Sequence, residues 1–570
     1  MQTSTAPGTG TNNRPNGRPA RDMLIVGQGF GGMYMLHRAR GMGLDVVAIE
    51  AGNDVGGTWY WNRYPGARCD VMSIDYSYSF SEEIMQEWTW SEQFAAQAEI
   101  WAYARWVADK LDLRRDIRFE TRATTVHYDD DARVWVVATG DGEVLRATYL
   151  VMATGPLSVP KGLDVPGAER FQGAIHLSGR WPQEPPDLAN RRVGVIGTGS
   201  TGIQIVPVVA EQAEHLFVFQ RTPSFTMPMR NRTLGADYVA QIKEHYPDLR
   251  AMARASATGG VRPISTRPVF SIPAEERERL MESAWAEGGL AFLGLFSDVL
   301  INQKANDVVA DFVRRKIRET VHDPATAEAL TPRGYPIFAR RPCLDTGYYE
   351  AFNRPNVSLV DCLAEPITEI TEAGIRTTAQ EIALDVIIAA TGYDGLTGAM
   401  LATDVRGRGG RSLREKWAGG ARSHLGLMME GFPNLFMIAG ANGPSALANF
   451  ILLNEQNADW ICDCIAYMAA HGHRSVEPAA EAEERYMRLV SDIASRSLMP
   501  KANTWYVGAN IPGKARFFPI FAGGLNRYRD MCSESAAAGY RGFAFDGEDA
   551  PQPNAGPAAK PARPAPVMGV

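Results

Sequence analysis

Twice in this chain an apolar strand runs directly into Gly-x-Gly-x-x-Gly and then into a helix, and no other feature narrows the choice of folds as far. In the first copy Met23-Leu24-Ile25-Val26 leads into Gly27-Gln28-Gly29-Phe30-Gly31-Gly32, with helical character from Met33 to Arg40. This is the opening of a Rossmann unit: Gly27 permits the tight turn, Gly29 lets backbone approach a pyrophosphate, and Gly32 lets the helix lie close on its strand. The helix N-terminus then offers unpaired N–H groups and a positive dipole end to the phosphates. A glycine turn alone says little. The next strand, Asp45-Val46-Val47-Ala48-Ile49, ends in Glu50, at the spacing of about 20 residues where a carboxylate accepts from a ribose diol.

The second copy has Arg192-Val193-Gly194-Val195-Ile196 as its strand and Gly197-Thr198-Gly199-Ser200-Thr201-Gly202 as its turn, with a helix from Ile203 to Glu211 despite Pro207. Ser200 and Thr201 open that helix, where a phosphate would lie. Its following strand, Leu216 to Gln220, ends in Arg221-Thr222 instead of an acid. A guanidinium there suits a 2′-phosphate and leaves the bare diol of NAD unserved, so the second site reads as NADP(H). An acid in the first unit and a base in the second fit FAD beside NADPH, with hydride passing to flavin. Val151-Met152-Ala153-Thr154-Gly155 and Ile387-Ile388-Ala389-Ala390-Thr391-Gly392 are apolar strands suited to carry the chain between the two units.

At 570 residues the chain exceeds one core, since single cores stop growing near about 250–300 residues. Lys plus Arg total 58 against 65 Asp plus Glu, a net charge of −7. No global positive field then draws nucleic acid or anionic lipid, and small molecules are the expected partners. The six cysteines show no CxxC spacing, so zinc is not indicated and reduced thiols in a cytoplasmic protein fit. Cys462 and Cys464 lie in a stretch of helical apolar spacing, as core and helix-surface residues. Residues 1–20 and 547–570, rich in Pro with Gly or Ala, read as disordered ends. No apolar run suggests a membrane span. A monomer or weak homo-oligomer is expected.

Between the glycine turns lies Gly57-Thr58-Trp59-Tyr60-Trp61-Asn62-Arg63-Tyr64-Pro65-Gly66-Ala67-Arg68-Cys69-Asp70, followed later by Phe171-Gln172-Gly173-Ala174-Ile175-His176-Leu177-Ser178-Gly179-Arg180-Trp181-Pro182. The first run resembles, at every fixed position, the GxWxxxxYPGxxxD fingerprint of type I Baeyer-Villiger monooxygenases. The second resembles that family's FxGxxxHxxxWP with one departure. The histidine position holds Leu177, and His176 sits one residue early, so the family's histidine role is not transferred. The likeness runs from about Asp22 to Phe545 and is nearest to the phenylacetone and steroid monooxygenase subgroup. Gln86-Glu87-Trp88, Val218 to Pro223, Gly431 to Phe436 and Trp505 to Gly513 also match it in place and spacing.

The resemblance implies an enzyme that reduces FAD with NADPH, adds O2 to give a C4a-peroxyflavin, and converts a ketone to an ester or lactone, with sulfoxidation as a side activity. It implies Arg341, in Phe338-Ala339-Arg340-Arg341-Pro342, as the cation that stabilises developing negative charge, a preorganised donor contributing about 3–4 kcal/mol. Asp70 would pair with Arg341 beside the flavin, limiting the cost of burying either charge. Arg340 would join Arg221 and Thr222 at the 2′-phosphate, and Trp59 would belong to the flavin site. Trp505 would cover bound NADP and substrate. Pro342, Ser445, Ala446, Leu447 and Phe450 would line the substrate pocket with it. Without the resemblance, Arg340-Arg341 reads as a solvated basic pair and Asp70 as a turn or cap residue.

The expected fold is α/β, with two Rossmann-like dinucleotide-binding domains of the three-layer ββα type, each discontinuous in sequence. The FAD domain is expected from residues 21–155 and 386–546, and the NADP domain from 156–226 and 331–385. Residues 227–330, of helical periodicity and without a glycine fingerprint, form a helical insertion. Three rivals stand beside this reading. A flavin monooxygenase acting on nitrogen or sulfur would not need Arg341. A disulfide reductase needs two cysteines near the flavin, and only Cys69 lies in the first unit. A non-catalytic FAD/NADPH redox sensor needs neither Arg341 nor Asp70.

Overall fold

The computed structural model describes residues 20–262 and 264–546; the ends expected to be disordered lie, Ala20 apart, outside the described residues. The first glycine turn belongs to an eight-stranded sheet. Its organising element is Val144–Met152, long enough to pair in two ways. Its first half runs antiparallel to Val134–Thr139. Its second half runs parallel to Arg21–Val26 on one side and Leu435–Met437 on the other. Val46–Ile49 and Ile117–Arg118 continue the parallel part, and buried Met23, Leu24, Ile25, Ala48 and Ile49 are the unbroken apolar runs that a sheet covered on both faces requires. The antiparallel part adds Ala123–Asp129, and Asp404–Arg406 then pairs parallel to that strand at the sheet edge. Strands from both sequence halves thus join one sheet. Helices Phe30–Gly41 and Phe450–His471 pack together beside it.

The second glycine turn belongs to five parallel strands in the order Val357–Asp361, His215–Gln220, Arg192–Ile196, Val386–Ala389, Ala174–Leu177. A three-stranded antiparallel sheet, Ile367–Ile370, Gly374–Thr377 and Glu381–Ala383, packs over one face through Phe219, Val360, Ile370, Ile375, Ile382 and Ile387. Helix Ser200–Gln212 covers the other face with Ile203 and Val206, continuing through Pro207. These are the three layers expected. One boundary shifts: Val386–Ala389 is paired on both sides within this second sheet, because four buried apolar residues belong at a sheet centre. The chain therefore returns to the first sheet after Ala389, not at 386.

Residues between the two parts of the second unit supply helices Ala236–Glu244, Tyr246–Ala255, Ala274–Glu287, Gln303–Thr320 and Pro324–Leu330. A short strand, Thr226–Pro228, precedes them and pairs with Cys343–Asp345, fixing the chain two residues after Arg341. Cys462 and Cys464 are both buried, at 2% and 0% exposure, so neither is on the helix surface. Helix Phe450–His471 packs against both Phe30–Gly41 and Leu525–Ala537 and is apolar around most of its girth. Among the described residues all cysteines are free and no helix is long and apolar enough to cross a membrane.

Candidate active site

The two glycine turns are built alike. Gly27 and Gly197 take φ of +98° and +109°, and a Cβ would stand 2.6 Å from Ala153 O and 2.4 Å from Ala390 O. Only glycine allows the turn to pass this close to the crossing strand. Gly32 and Gly202 approach the turn itself, where a Cβ would fall 1.9 and 2.0 Å from the oxygens of Gly27 and Gly197. Helices Phe30–Gly41 and Ser200–Gln212 start at Gly29 and Gly199, neither with a side-chain cap. Their first N–H groups therefore face the cavity and suit an anion. Glu50 is 5% exposed and accepts from Gln28 N at 2.7 Å and Gly52 N at 2.8 Å. Burial raises its carboxyl pKa against these bonds. A carboxylate offers about four acceptor positions, so capacity for a diol remains.

The first fingerprint is a clasp between the units. Helix Thr58–Trp61 carries Trp59, whose Nε1 donates to Tyr76 Oη at 3.0 Å. Tyr64 Oη donates to Gln204 Oε1 at 2.9 Å, and Gln204 Nε2 donates to Arg68 O at 2.9 Å. A Cβ on Gly66 would lie 2.2 Å from Gln204 O. Gln204 sits on the helix of the second turn, so the Tyr-Pro-Gly step packs directly on that helix. In the second fingerprint Ala174–Leu177 is an edge strand, with Leu177 paired to Ala389. His176 lies 5.5 Å from Trp181, ring to ring, and its buried Nε2 has no partner among the described residues. Burial lowers its pKa. Arg180 reaches back to the first fingerprint, 4.3 Å above the Trp61 ring.

Asp70, at the end of that clasp, meets Arg341. Arg341 Nε donates to Asp70 Oδ2 at 3.1 Å and Nη2 to Oδ1 at 2.5 Å, while Nη1 donates to Ala446 O at 2.9 Å. The Arg341 side chain keeps 31% exposure, and it lines the cavity. Burial works against its charge, but Asp70 more than offsets this and holds its pKa above the ordinary arginine value. Tyr506 is 1% exposed, and its Oη has no hydrogen-bond partner among the described residues. Burial pushes that phenol up to about 12, and nearby Arg341 opposes the shift.

At the second turn Thr198 Oγ1 donates to Thr222 O at 3.0 Å and Ser224 Oγ to Thr198 O at 2.8 Å, which fixes the loop holding Arg221. Arg340 lies 4.3 Å above the Tyr335 ring and donates from Nη2 to Asn503 O at 3.1 Å. Burial lowers its pKa, and Arg221 adds repulsion. Neither guanidinium has an ion-pair partner among the described residues, so two like charges share one wall. Trp505 packs on Gly395, where a Cβ would fall 2.6 Å from its ring. Its loop is tied down by Asn510 Nδ2 donating to Tyr393 O at 2.6 Å and by the Lys514–Asp394 ion pair.

One cavity of about 1490 Å³ joins these features, more than the ~300–1,000 Å³ of an ordinary single-ligand pocket. Gly27, Gly29, Glu50, Trp59, Asp70, Gly197, Gly199, Ser200, Thr201, Arg221, Thr222, Arg340, Arg341, Pro342, Ala446, Leu447, Phe450 and Trp505 all line it. Gly32 and Gly202 do not, consistent with helix packing as their role. Ser445, expected in the substrate pocket, is not in the wall: it is 0% exposed at φ +44°, turned inward by the short helix that aims Ala446 O at Arg341. Sequence reasoning missed Tyr76, Asp75, Thr258, Arg262, Leu290, Leu293 and Tyr506, which also line the cavity. Of these only Tyr506 carried a local signal, as the neighbour of Trp505.

Residues 21–258 match the family model described as pyridine nucleotide-disulphide oxidoreductase. Cys69 is buried beside Asp70 and its thiol is pushed up by burial, no second cysteine lies in residues 21–155, and among the described residues every cysteine is free. The match thus reports the nucleotide fold and not cysteine redox chemistry. The chain is 41% identical over 529 residues to a Baeyer-Villiger monooxygenase of Pseudooceanicola batsensis, covering 92% of this chain and 96% of that protein. The solved structure of oxidised steroid monooxygenase bound to NADP superposes with a TM-score of 0.89 at 46% identity, covering 92% of this chain and 99% of the other. That of OTEMO in complex with FAD and NADP gives 0.89 at 38% identity, over 92% and 99%. With this identity along nearly the whole length, and with the Asp70–Arg341 pair facing a cavity between two glycine turns, the chain belongs to the Baeyer-Villiger monooxygenases.

Proposed function

We propose that the cavity holds FAD at Gly27, Gly29 and Glu50, NADP(H) at Gly197, Gly199, Ser200, Thr201, Arg221, Thr222 and Arg340, and a small-molecule ketone against Arg341. The residues present fit both groups. Two uncapped helix N-termini face the cavity, a buried carboxylate ends the second strand of the first unit, and Arg221 ends that of the second with Arg340 on the same cavity wall. FAD, when bound, supplies the redox chemistry, taking hydride from NADPH and passing one oxygen atom of O2 to the ketone to give an ester or lactone. The first sheet and its helices form the FAD domain, and the second sheet with its antiparallel cover forms the NADP domain.

The observation that carries this reading is the three-point fixing of Arg341. Asp70 and Ala446 O hold three of its N–H donors, leaving a permanently charged, preorganised guanidinium on the cavity wall. Negative charge that develops where the ketone oxygen sits is stabilised there without reorganisation. Leu290, Leu293, Ile438, Leu447 and Phe450 give the same cavity apolar wall, and a charge interaction is stronger in apolar surroundings than in water. Trp59 steadies the fingerprint through Tyr76, and Trp505 closes the cavity beside Arg340.

The test is NADPH consumption over a panel of small cyclic, bulky polycyclic and aryl ketones with products identified by mass. One ester per NADPH supports the reading; ketone-independent NADPH consumption without ester refutes it. We place the protein in the cytoplasm as a monomer or weak homo-oligomer, which fractionation and gel filtration check.

A further inference from the structure

We propose that Asp75 determines substrate specificity in the cavity, selecting ketones that carry a hydroxyl at the end remote from the carbonyl. This rests on the ketone reading above. Asp75 is 4% exposed yet belongs to the cavity wall. Its Oδ2 lies against the loop after helix Tyr246–Ala255, 3.5 Å from Val261 N, at the outer limit of a hydrogen bond and the one bond the carboxylate accepts among the described residues. Oδ1 is left without a partner. Neither nearby cation bonds Asp75 directly, although Arg250, whose buried Nε has no partner among the described residues, supplies the largest opposing charge. Arg250, 2% exposed, donates from Nη2 to Ser77 Oγ at 2.6 Å, and Arg262 donates from Nη1 to Glu287 at 2.8 Å. Burial pushes the Asp75 carboxyl up to about 6, with Arg250 and Arg262 opposing. A desolvated carboxylate with one weak bond is a group waiting for a donor.

The surroundings select the donor. Thr258, Arg262 and Asn449 stand with Asp75 in the wall, while Ile264, Leu290, Leu293 and Phe450 make apolar surface beside them. A second carboxylate would be repelled by Asp75, and an ammonium would be opposed by Arg250 and Arg262. A hydroxyl donates to Asp75 and still accepts from Arg262 or Thr258. The separation is set by the chain. Asp75 lies five positions beyond Asp70, the anchor of Arg341, so their Cα atoms stand at most about 18 Å apart. The turn closed by Asp75 N donating to Met72 O at 2.9 Å shortens that span. A ketone of two linked rings falls within that bound and serves as the probe.

The experiment compares the holoenzyme with its Asp75→Ala and Asp75→Asn variants, using a ketone of two linked cyclohexane rings with a hydroxyl on the far ring and the same ketone without it. Equilibrium dialysis without NADPH reads binding, and ester formation reads turnover. The unmodified enzyme should prefer the hydroxy ketone by about tenfold or more in Kd. That preference should fall below about threefold in Asp75→Ala and survive in part in Asp75→Asn, whose amide oxygen still accepts. Equal affinity of the unmodified enzyme for the two ketones overturns the inference. So does an equal weakening of both in the variants, or a loss of FAD content and melting temperature with the preference intact. If the preference appears in dialysis but neither ketone becomes an ester, Asp75 is right and the reaction assigned to the cavity is wrong.

Discussion

Replacing Arg341 with alanine removes all five guanidinium N–H donors and their charge, including the three held by Asp70 and Ala446 O, while the cavity around them stays open. A preorganised donor of this kind contributes about 2.7–4 kcal/mol to the transition state, a factor of about 10² to 10³ in kcat. Ketone oxidation should fall by at least that factor. Arg341 lies outside both glycine turns, so NADPH consumption should persist, uncoupled from ester. Asp70, 18% exposed at its side chain, loses its cation. Breaking a buried pair costs about 3–5 kcal/mol, and water entering the emptied space should keep this site near about 3 kcal/mol. Lysine restores the charge but not the planar fork, so Arg341→Lys should lie between alanine and the unmodified enzyme. Thioether oxidation, which develops no comparable anion, should fall less than about tenfold in Arg341→Ala. Parallel assays of NADPH, ester and sulfoxide decide the matter; ketone turnover within about threefold of the unmodified enzyme would refute the assigned role.

Arg221→Ala should raise KM for NADPH by about 10- to 100-fold and leave that for NADH nearly unchanged, since a hydrogen bond to a charged group contributes about 1.5–3 kcal/mol; steady-state kinetics with both nucleotides check it. Gly202→Ala places a Cβ 2.0 Å from Gly197 O and should strongly lower the melting temperature. Gly199→Ala meets nothing within 4 Å and should leave the melting temperature unchanged while weakening NADP binding. His424 is buried beside Phe543 and Tyr486, and burial, aided by Arg485, lowers its pKa from 6.5 to about 3. Its neutral form is the folded one, so its stabilisation is complete above 6.5 and is lost progressively as pH falls toward 3. Between pH 7 and pH 5 that loss is about 2 kcal/mol, and His424→Gln should remove that part of the acid-side decline in denaturant titrations.

What was legible in the sequence was what is local in the chain. Each glycine turn, with Glu50 or Arg221 at the end of the next strand, is a single βαβ unit whose chemistry is fixed over a few dozen residues. Arg341 is different: its partner Asp70 is 271 positions away, and no periodicity links them, so only the family resemblance joined the two. The cavity wall draws on the chain near Asp75, Thr258, Leu290 and Leu447, four segments brought together by packing alone. Asp75 and Arg262 therefore looked like any other charged residues. The misplaced boundary at 386 has the same origin. Val386–Ala389 is apolar enough for either sheet, and only its pairing with Arg192–Ile196 decides between them.

The first fingerprint is contiguous because it acts on both units within a short length of chain. Trp59 and Tyr76 fix it in the first unit, Tyr64 and Gly66 seat it on the helix of the second glycine turn through Gln204, and Asp70 then reaches Arg341. Arg180 of the second fingerprint stacks back on Trp61, so the two sequence signatures touch. A displacement of the second unit must either carry Arg341 and its carboxylate along or break the Tyr64–Gln204 bond. The position of helix Ser200–Gln212 and the charge on the cavity wall are thereby mechanically linked. Leu177 lies on an edge strand paired to Ala389, and within the same fingerprint it is Arg180 that reaches the first unit.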